Sequence, residues 1–178
     1  WRGFKGTTWE GGFRVPAMVR WPGKVKPGTI ETGIWSHQDW APTLLAVAGV
    51  PDVKEQLRKG YKAGEKEFKV HLDGYNQLDN LVGKSPSKRE EFLYFSDKST
   101  LNAIRWGDWK VHFTTMENWI EGKETKQTFP KVVNLKSDPF ERAMSESDMY
   151  LRWYIDKLWL FVPMQQQVTE LQRVGDAV

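Results

Sequence analysis

The densest chemistry in the sequence lies near its start, in Lys5-Gly6-Thr7-Thr8-Trp9-Glu10-Gly11-Gly12-Phe13-Arg14-Val15-Pro16. Three glycines there allow the backbone to approach a ligand, because glycine accepts φ values that a Cβ forbids. A lysine at the mouth of such a loop is a mobile point charge suited to an anion. Glu10 and Arg14 read as an ion pair or hydrogen-bonding set that shapes the loop, since an arginine next to a buried strand needs a partner. His37 and His71 titrate in the range useful for acid–base work, but a satisfied structural histidine is the commoner outcome. His112 reads as a surface or packing residue. Asp73 and Asp138 fit turns better than metal sites, because no second carboxylate accompanies either at ligand spacing. Lys5 is therefore the candidate for chemistry. From its type and position alone, a solvated loop lysine is the commoner fate.

The elements that must hold this loop follow from punctuation and periodicity. Residues 15–21 read as a largely buried strand ended by Pro22-Gly23. A helix is expected from Asp39 as N-cap, with Pro42 in its first turn and Gly49 and Pro51 closing it. Trp40, Leu44 and Val47 would form its buried face. Residues 52–69 read as an exposed helix–loop insertion, and Ser85-Pro86-Ser87-Lys88-Arg89 as a polar linker. The seam divides the chain into residues 1–84 and 85–178. Beyond it, residues 92–95 read as a strand, and residues 102–113 as a hairpin turning at Gly107-Asp108 with Ile104, Trp106, Trp109, Val111 and Phe113 alternating with polar residues. A further strand at residues 132–135 is followed by Ser145-Glu146-Ser147-Asp148, a capping-box pattern. The last helix would bury Leu151, Ile155, Leu158 and Val162 and end or kink at Pro163. The expected unit is an antiparallel sheet covered by one aromatic-rich helix.

Composition sets wide bounds. The 178 residues suffice for a real core. A net charge of +3 is too small to point to nucleic acid, but it is uneven: residues 1–72 hold 12 Lys and Arg against 7 Asp and Glu. That excess lies with the Lys5 loop and favours anionic ligands. There is no cysteine, hence no thiolate metal site and no thiol nucleophile. No apolar run has bilayer length and no signal-peptide pattern occurs, so no membrane partner is expected. Ten tryptophans read mainly as packing anchors. The chain opens Trp1-Arg2-Gly3-Phe4 without Met, which suggests an internal cut through a longer protein. Localisation is left open.

Four ordered motifs carry a family resemblance. The segment from Lys5 to Pro16, Trp21-Pro22-Gly23, Asp39-Trp40-Ala41-Pro42-Thr43-Leu44-Leu45 and Asn134-Leu135-Lys136-Ser137-Asp138-Pro139-Phe140-Glu141 together resemble the C-terminal half of bacterial arylsulfatases. These are type I, formylglycine-dependent sulfatases of the alkaline-phosphatase superfamily. The resemblance implies an α/β fold of which this chain is the C-terminal part, ending in a small α+β subdomain with an antiparallel sheet and a C-terminal helix. It implies a sulfuric ester hydrolase acting on a sulfate-ester small molecule or sulfated glycan, with Ca²⁺ and formylglycine as cofactors. It places Lys5 where the family's lysine contacts the sulfate oxygens. The formylglycine motif and the Asp-Asn metal ligands have no counterpart here, and Ser85-Pro86-Ser87-Lys88-Arg89 is a false echo. The chain alone is therefore expected to be inactive and to pack against a missing N-terminal part. A non-catalytic anion- or glycan-binding module, or a related phosphate or phosphonate ester hydrolase, are the alternatives.

Overall fold

A computed structural model describes residues 1–118, 120 and 122–176, with side chains to residue 169. In chain order the elements are α1 (Glu10–Phe13), α2 (Trp40–Val47, preceded by a 3-10 turn at His37–Asp39), α3 (Val53–Lys59), β1 (Tyr61–Ala63), β2 (Lys66–Phe68), α4 (Leu78–Leu81), β3 (Glu91–Phe95), β4 (Leu101–Trp106), β5 (Trp109–Thr115), β6 (Thr125–Asn134), α5 (Ala143–Glu146), α6 (Tyr150–Ile155), a 3-10 turn at Leu158–Leu160, and α7 (Phe161–Asp176). Two compact units result. One holds Trp1–Ala17 and Glu91–Gln172, the other Met18–Glu90 with the residues from Arg173.

The first unit is built on a four-stranded antiparallel sheet in the order β3-β4-β5-β6. The hairpin of β4 and β5 turns at Gly107-Asp108 as the residues dictate, with Trp106 opposite Trp109 and Gly107 at φ 56°. Register then sorts the two faces, because residues directly opposite share a face. Leu93, Ile104, Val111 and Val132 align across all four strands. They pack with Tyr154, Leu160 and Met164 into the core beneath the helices. The opposite face carries Tyr94, Ala103 and His112 in one row and Arg105, Lys110 and Val133 in the next. Alternation alone suggests that this polar face meets water. Instead Lys110 and His112 are both 0 % exposed, because the polar face packs against the segment 1–17. His112 is thus a buried packing residue, against the Trp9 ring, and not a surface one.

The helical layer departs from the expected stripe. Leu151, Ile155, Leu158 and Val162 are all exposed, while Tyr154, Leu160 and Met164 are buried. The helix is not continuous: α6 ends at Ile155 and the 3-10 turn at Leu158–Leu160 resets the phase. From there Leu160, Met164 and Val168 repeat at helical spacing against the sheet. Pro163 lies in the first turn of α7, where its missing N–H breaks no helical bond. No side chain caps α5 or α6, so the expected capping box at residues 145–148 does not form. Asp138 does serve its turn, accepting the backbone N–H of Arg142 and Ala143. On edge strand β6 the Tyr150 hydroxyl accepts the Val132 N–H and donates to the Val132 carbonyl, both at 2.9 Å.

In the second unit, α2 buries Pro42, Thr43 and Ala46, whereas Leu44 and Val47 are exposed and Trp40 is half-buried. The cap is also displaced: Ser36 and Asp39 form a reciprocal capping box on the preceding 3-10 turn. Asp39 is fully buried because Arg89 clamps it, with Nη2 at 2.6 Å from Oδ1 and Nε at 2.9 Å from Oδ2. Residues 85–89 lie just before the boundary at Glu90/Glu91, and within the second unit they are tied down by polar contacts. Ser87 donates to the Ile34 carbonyl at 2.6 Å and Arg89 closes the ion pair. Residues 61–69 are exposed as expected while Val53 of α3 is buried, and the stretch includes the β1–β2 hairpin that the Lys/Glu-rich composition hides. The expected strand at residues 15–21 does not form. That stretch takes no regular structure, residues 15–20 are exposed, and no ladder partner reaches it among the described residues.

Candidate functional site

The Lys5 loop lies in the sheet unit and is held by its own backbone. Thr7 N donates to Phe4 O, Gly11 N to Arg2 O at 2.7 Å, and Gly12 N to Trp9 O at 2.9 Å. A Cβ on Gly11 would run into the Arg2 and Gly3 carbonyls, and one on Gly12 into the Thr7 carbonyl. These glycines let the loop fold on itself; they do not open its backbone to a ligand. The expectation of a glycine cradle fails for that reason, since the amides at residues 7, 10, 11 and 12 are already engaged.

Beneath the loop lies a buried charged network. Thr7, Thr8, Trp9 and Glu10 are each no more than 3 % exposed. Glu10 Oε1 receives the Tyr94 hydroxyl at 2.6 Å and the Lys110 ammonium at 3.0 Å, and Arg105 stands 3.4 Å from Oε2. Burial opposes ionisation of Glu10, but Lys110, Tyr94 and Arg105 together hold its pKa below the ordinary value. The partner of Glu10 is thus not Arg14, which stacks its guanidinium 4.5 Å above the Trp1 ring. Glu141 comes from the far end of the chain with a left-handed φ of 53°. Its Oε2 accepts the Glu10 backbone N–H at 2.7 Å and its Oε1 lies 2.8 Å from His112 Nε2 and 3.1 Å from Lys110 Nζ. Burial raises the Glu141 pKa, but His112, Lys110 and the Glu10 amide more than offset it, so it is lowered overall. Burial and the Lys110 charge lower the His112 pKa to about 4 despite its bond to Glu141. A neutral imidazole facing an ionised carboxylate donates through Nε2, and Nδ1 is left buried without a partner among the described residues.

Lys5 itself projects out of this assembly. It is exposed and makes no hydrogen bond or ion pair among the described residues. Arg2 escapes a motif reading, yet it braces the loop base, donating to the Glu141 carbonyl at 2.8 Å and lying 3.9 Å from the Trp9 ring centroid. His37 is exposed, and His71 sits 3.4 Å from Asp73, so neither belongs to the Lys5 unit. Trp9, Trp106, Trp109 and Trp153 act as packing residues, whereas Trp159 is exposed and Trp119 lies outside the described residues. No group of three His, Cys, Asp or Glu among the described residues could hold a metal ion. No helix among them is long and apolar enough to cross a membrane.

Comparison with known proteins agrees with this architecture. Residues 87–152 match the family described as the C-terminal region of aryl-sulfatase, and residues 4–63 match the C-terminal family of N-sulphoglucosamine sulphohydrolase. Human arylsulfatase A is 34 % identical over 115 residues, 62 % of this chain and 20 % of the relative. The N-acetylgalactosamine-6-sulfatase of Canis lupus familiaris is 27 % identical over 186 residues, 92 % of this chain and 32 % of the relative. The crystal structure of the PsFucS1 sulfatase from Pseudoalteromonas sp. superposes with a TM-score of 0.69 at 27 % identity, covering 96 % of this chain and 33 % of that one. The chain thus spans about a fifth to a third of the length of these proteins. Matched at both ends by sulfatase C-terminal families and nearly throughout by a sulfatase structure, the chain belongs to the sulfatases and carries the fold of their C-terminal region.

Proposed function

We propose that this chain supplies one wall of the active site of an enzyme hydrolysing sulfate esters of an aryl or glycan type, with Lys5 contacting the sulfate oxygens. The observation that carries the reading is a free, exposed ammonium at the tip of a loop whose base is locked by buried charges. Sulfuryl transfer loads negative charge onto the equatorial and leaving oxygens. A lysine held in advance where that charge develops stabilises the transition state more than the ground state. The nucleophile, expected to be formylglycine, and the calcium ligands would come from a preceding part of the same protein. Exposed Met18, Val19 and Leu44 of the second unit are apolar side chains suited to packing against it.

The test replaces Lys5 by alanine in the full-length protein. Hydrolysis of an aryl sulfate is expected to fall ~10²–10³-fold in kcat, the usual loss for one preorganised donor. The thermal midpoint should hardly move, because the side chain is exposed and makes no hydrogen bond or ion pair among the described residues. An unchanged kcat refutes the assignment. The 178-residue chain by itself should show no turnover; measurable hydrolysis by the purified chain would show that the nucleophile lies within it.

A further inference from the structure

Lys110 is a fully buried lysine that donates to the Thr8 carbonyl at 2.7 Å and to Glu10 Oε1 at 3.0 Å, with Glu141 Oε1 at 3.1 Å as a further ion-pair partner. Both hydrogen bonds of the ammonium go to the loop that carries Lys5. Glu141, the third partner, holds the same loop through the Glu10 amide at 2.7 Å. Charge balances locally, Lys110 and Arg105 facing Glu10 and Glu141. Buried ion clusters are weak contributors to stability, since well-packed apolar residues commonly do as well. What they supply is one conformation rather than several. The loop has particular need of that, because its own turn leaves Lys5 with no hydrogen bond or ion pair among the described residues to fix it.

We propose that Lys110 is a positioning residue for Lys5, setting the loop through the Thr8 carbonyl and the Glu10 carboxylate so that the ammonium meets the sulfate where charge develops. The proposal rests on reading Lys5 as the sulfate contact, and the test separates the two. In the 178-residue chain, Lys110→Met should speed amide exchange at Glu10, Gly11 and Gly12 at least ~10-fold, while amides of the Ile104 and Val111 core change less than ~3-fold. Equal acceleration everywhere, or none in the loop, overturns the proposal. In the full-length enzyme, Lys110→Met should lower kcat at least ~10-fold with KM within ~3-fold, measured well below the variant's own unfolding midpoint. Combining it with Lys5→Ala should lower kcat no further than Lys5→Ala alone, because both act through one ammonium. Additive losses overturn the positioning role. If Lys5→Ala leaves kcat intact, the sulfate contact fails, while the exchange data still judge the hold of Lys110 on the loop. Should Lys110→Met not fold, Tyr94→Phe, which removes only the 2.6 Å bond to Glu10, goes through the same exchange and kinetic cycle with a threshold of ~3-fold.

Discussion

Replacing His112 by glutamine should remove a defined part of the acid sensitivity of the sheet unit. The imidazole is 0 % exposed and its pKa falls from 6.5 to about 4, chiefly through burial and then through the Lys110 charge. Because the folded value lies below the unfolded one, the unfolded chain takes up the proton first as pH drops. Stability is therefore fully present above pH 6.5 and declines toward about 4, below which both states are protonated. At ~1.4 kcal/mol per pH unit, the interval from 6.5 to about 4 amounts to about 3 kcal/mol. Glutamine keeps an N–H donor for Glu141 Oε1 and does not titrate. It will lower absolute stability, because it loses the ring contact with Trp9 at 4.7 Å, so the readout is the pH dependence. Urea unfolding followed by tryptophan fluorescence between about pH 4 and 8 should give a wild-type-minus-variant difference that grows by about 3 kcal/mol from pH 4 to 6.5 and is flat above 7. A difference independent of pH would mean that His112 titrates alike in both states. A difference largest at pH 4 would mean a charged His112 paired with Glu141, and either result refutes the reasoning. The lowered pKa values of Glu10 and Glu141 give the same sign at more acid pH: their contribution is present above the ordinary carboxylate range and is lost as pH falls through their folded values.

In the second unit, Arg89→Met should cost about 3–5 kcal/mol in urea unfolding, because Asp39 would be left as a buried carboxylate without its guanidinium. The double variant Asp39→Asn/Arg89→Met should be more stable than Arg89→Met alone; a double variant less stable than the single one contradicts this account. In the helical layer, Leu160→Ala should cost about 2–5 kcal/mol and the exposed Leu151→Ala less than about 0.5, as measured by unfolding midpoints. The reverse order would restore the stripe that periodicity suggests.

What the sequence made legible was local. The hairpin at Gly107-Asp108 could be read because its signals, alternation and a turn dipeptide, lie within a dozen residues. The existence of the last helix was legible too, but its buried face was not. A break after Ile155 shifts the phase, and no residue type there announces it. The stretch 15–21 shows how an apolar run signals that burial is wanted without saying what covers it. The Lys5 loop was legible as a motif rich in glycine. The purpose of its glycines was not, because the carbonyls they approach lie up to nine residues earlier in the chain and only the fold brings them close. The charged network was hidden for a stronger reason. Glu10 reaches Glu141 across a separation of 131 residues and Lys110 across 100. Lys110 and His112 look like the wet side of a strand until the N-terminal segment is laid over them.

The Tyr150 hydroxyl has a consequence for how this protein behaves among its own copies. Strand β6 ends the sheet, and a free strand edge is a template on which another chain can extend the ladder. At Val132 both groups that an incoming strand would use, the N–H and the carbonyl, are already taken by that one oxygen. A phenol thus terminates the sheet where the edge is most regular and most apolar, next to Pro130, which offers no donor of its own. At this point on β6 sheet growth meets a side chain from the helical layer that completes the core, so one contact both packs the helix and caps the edge.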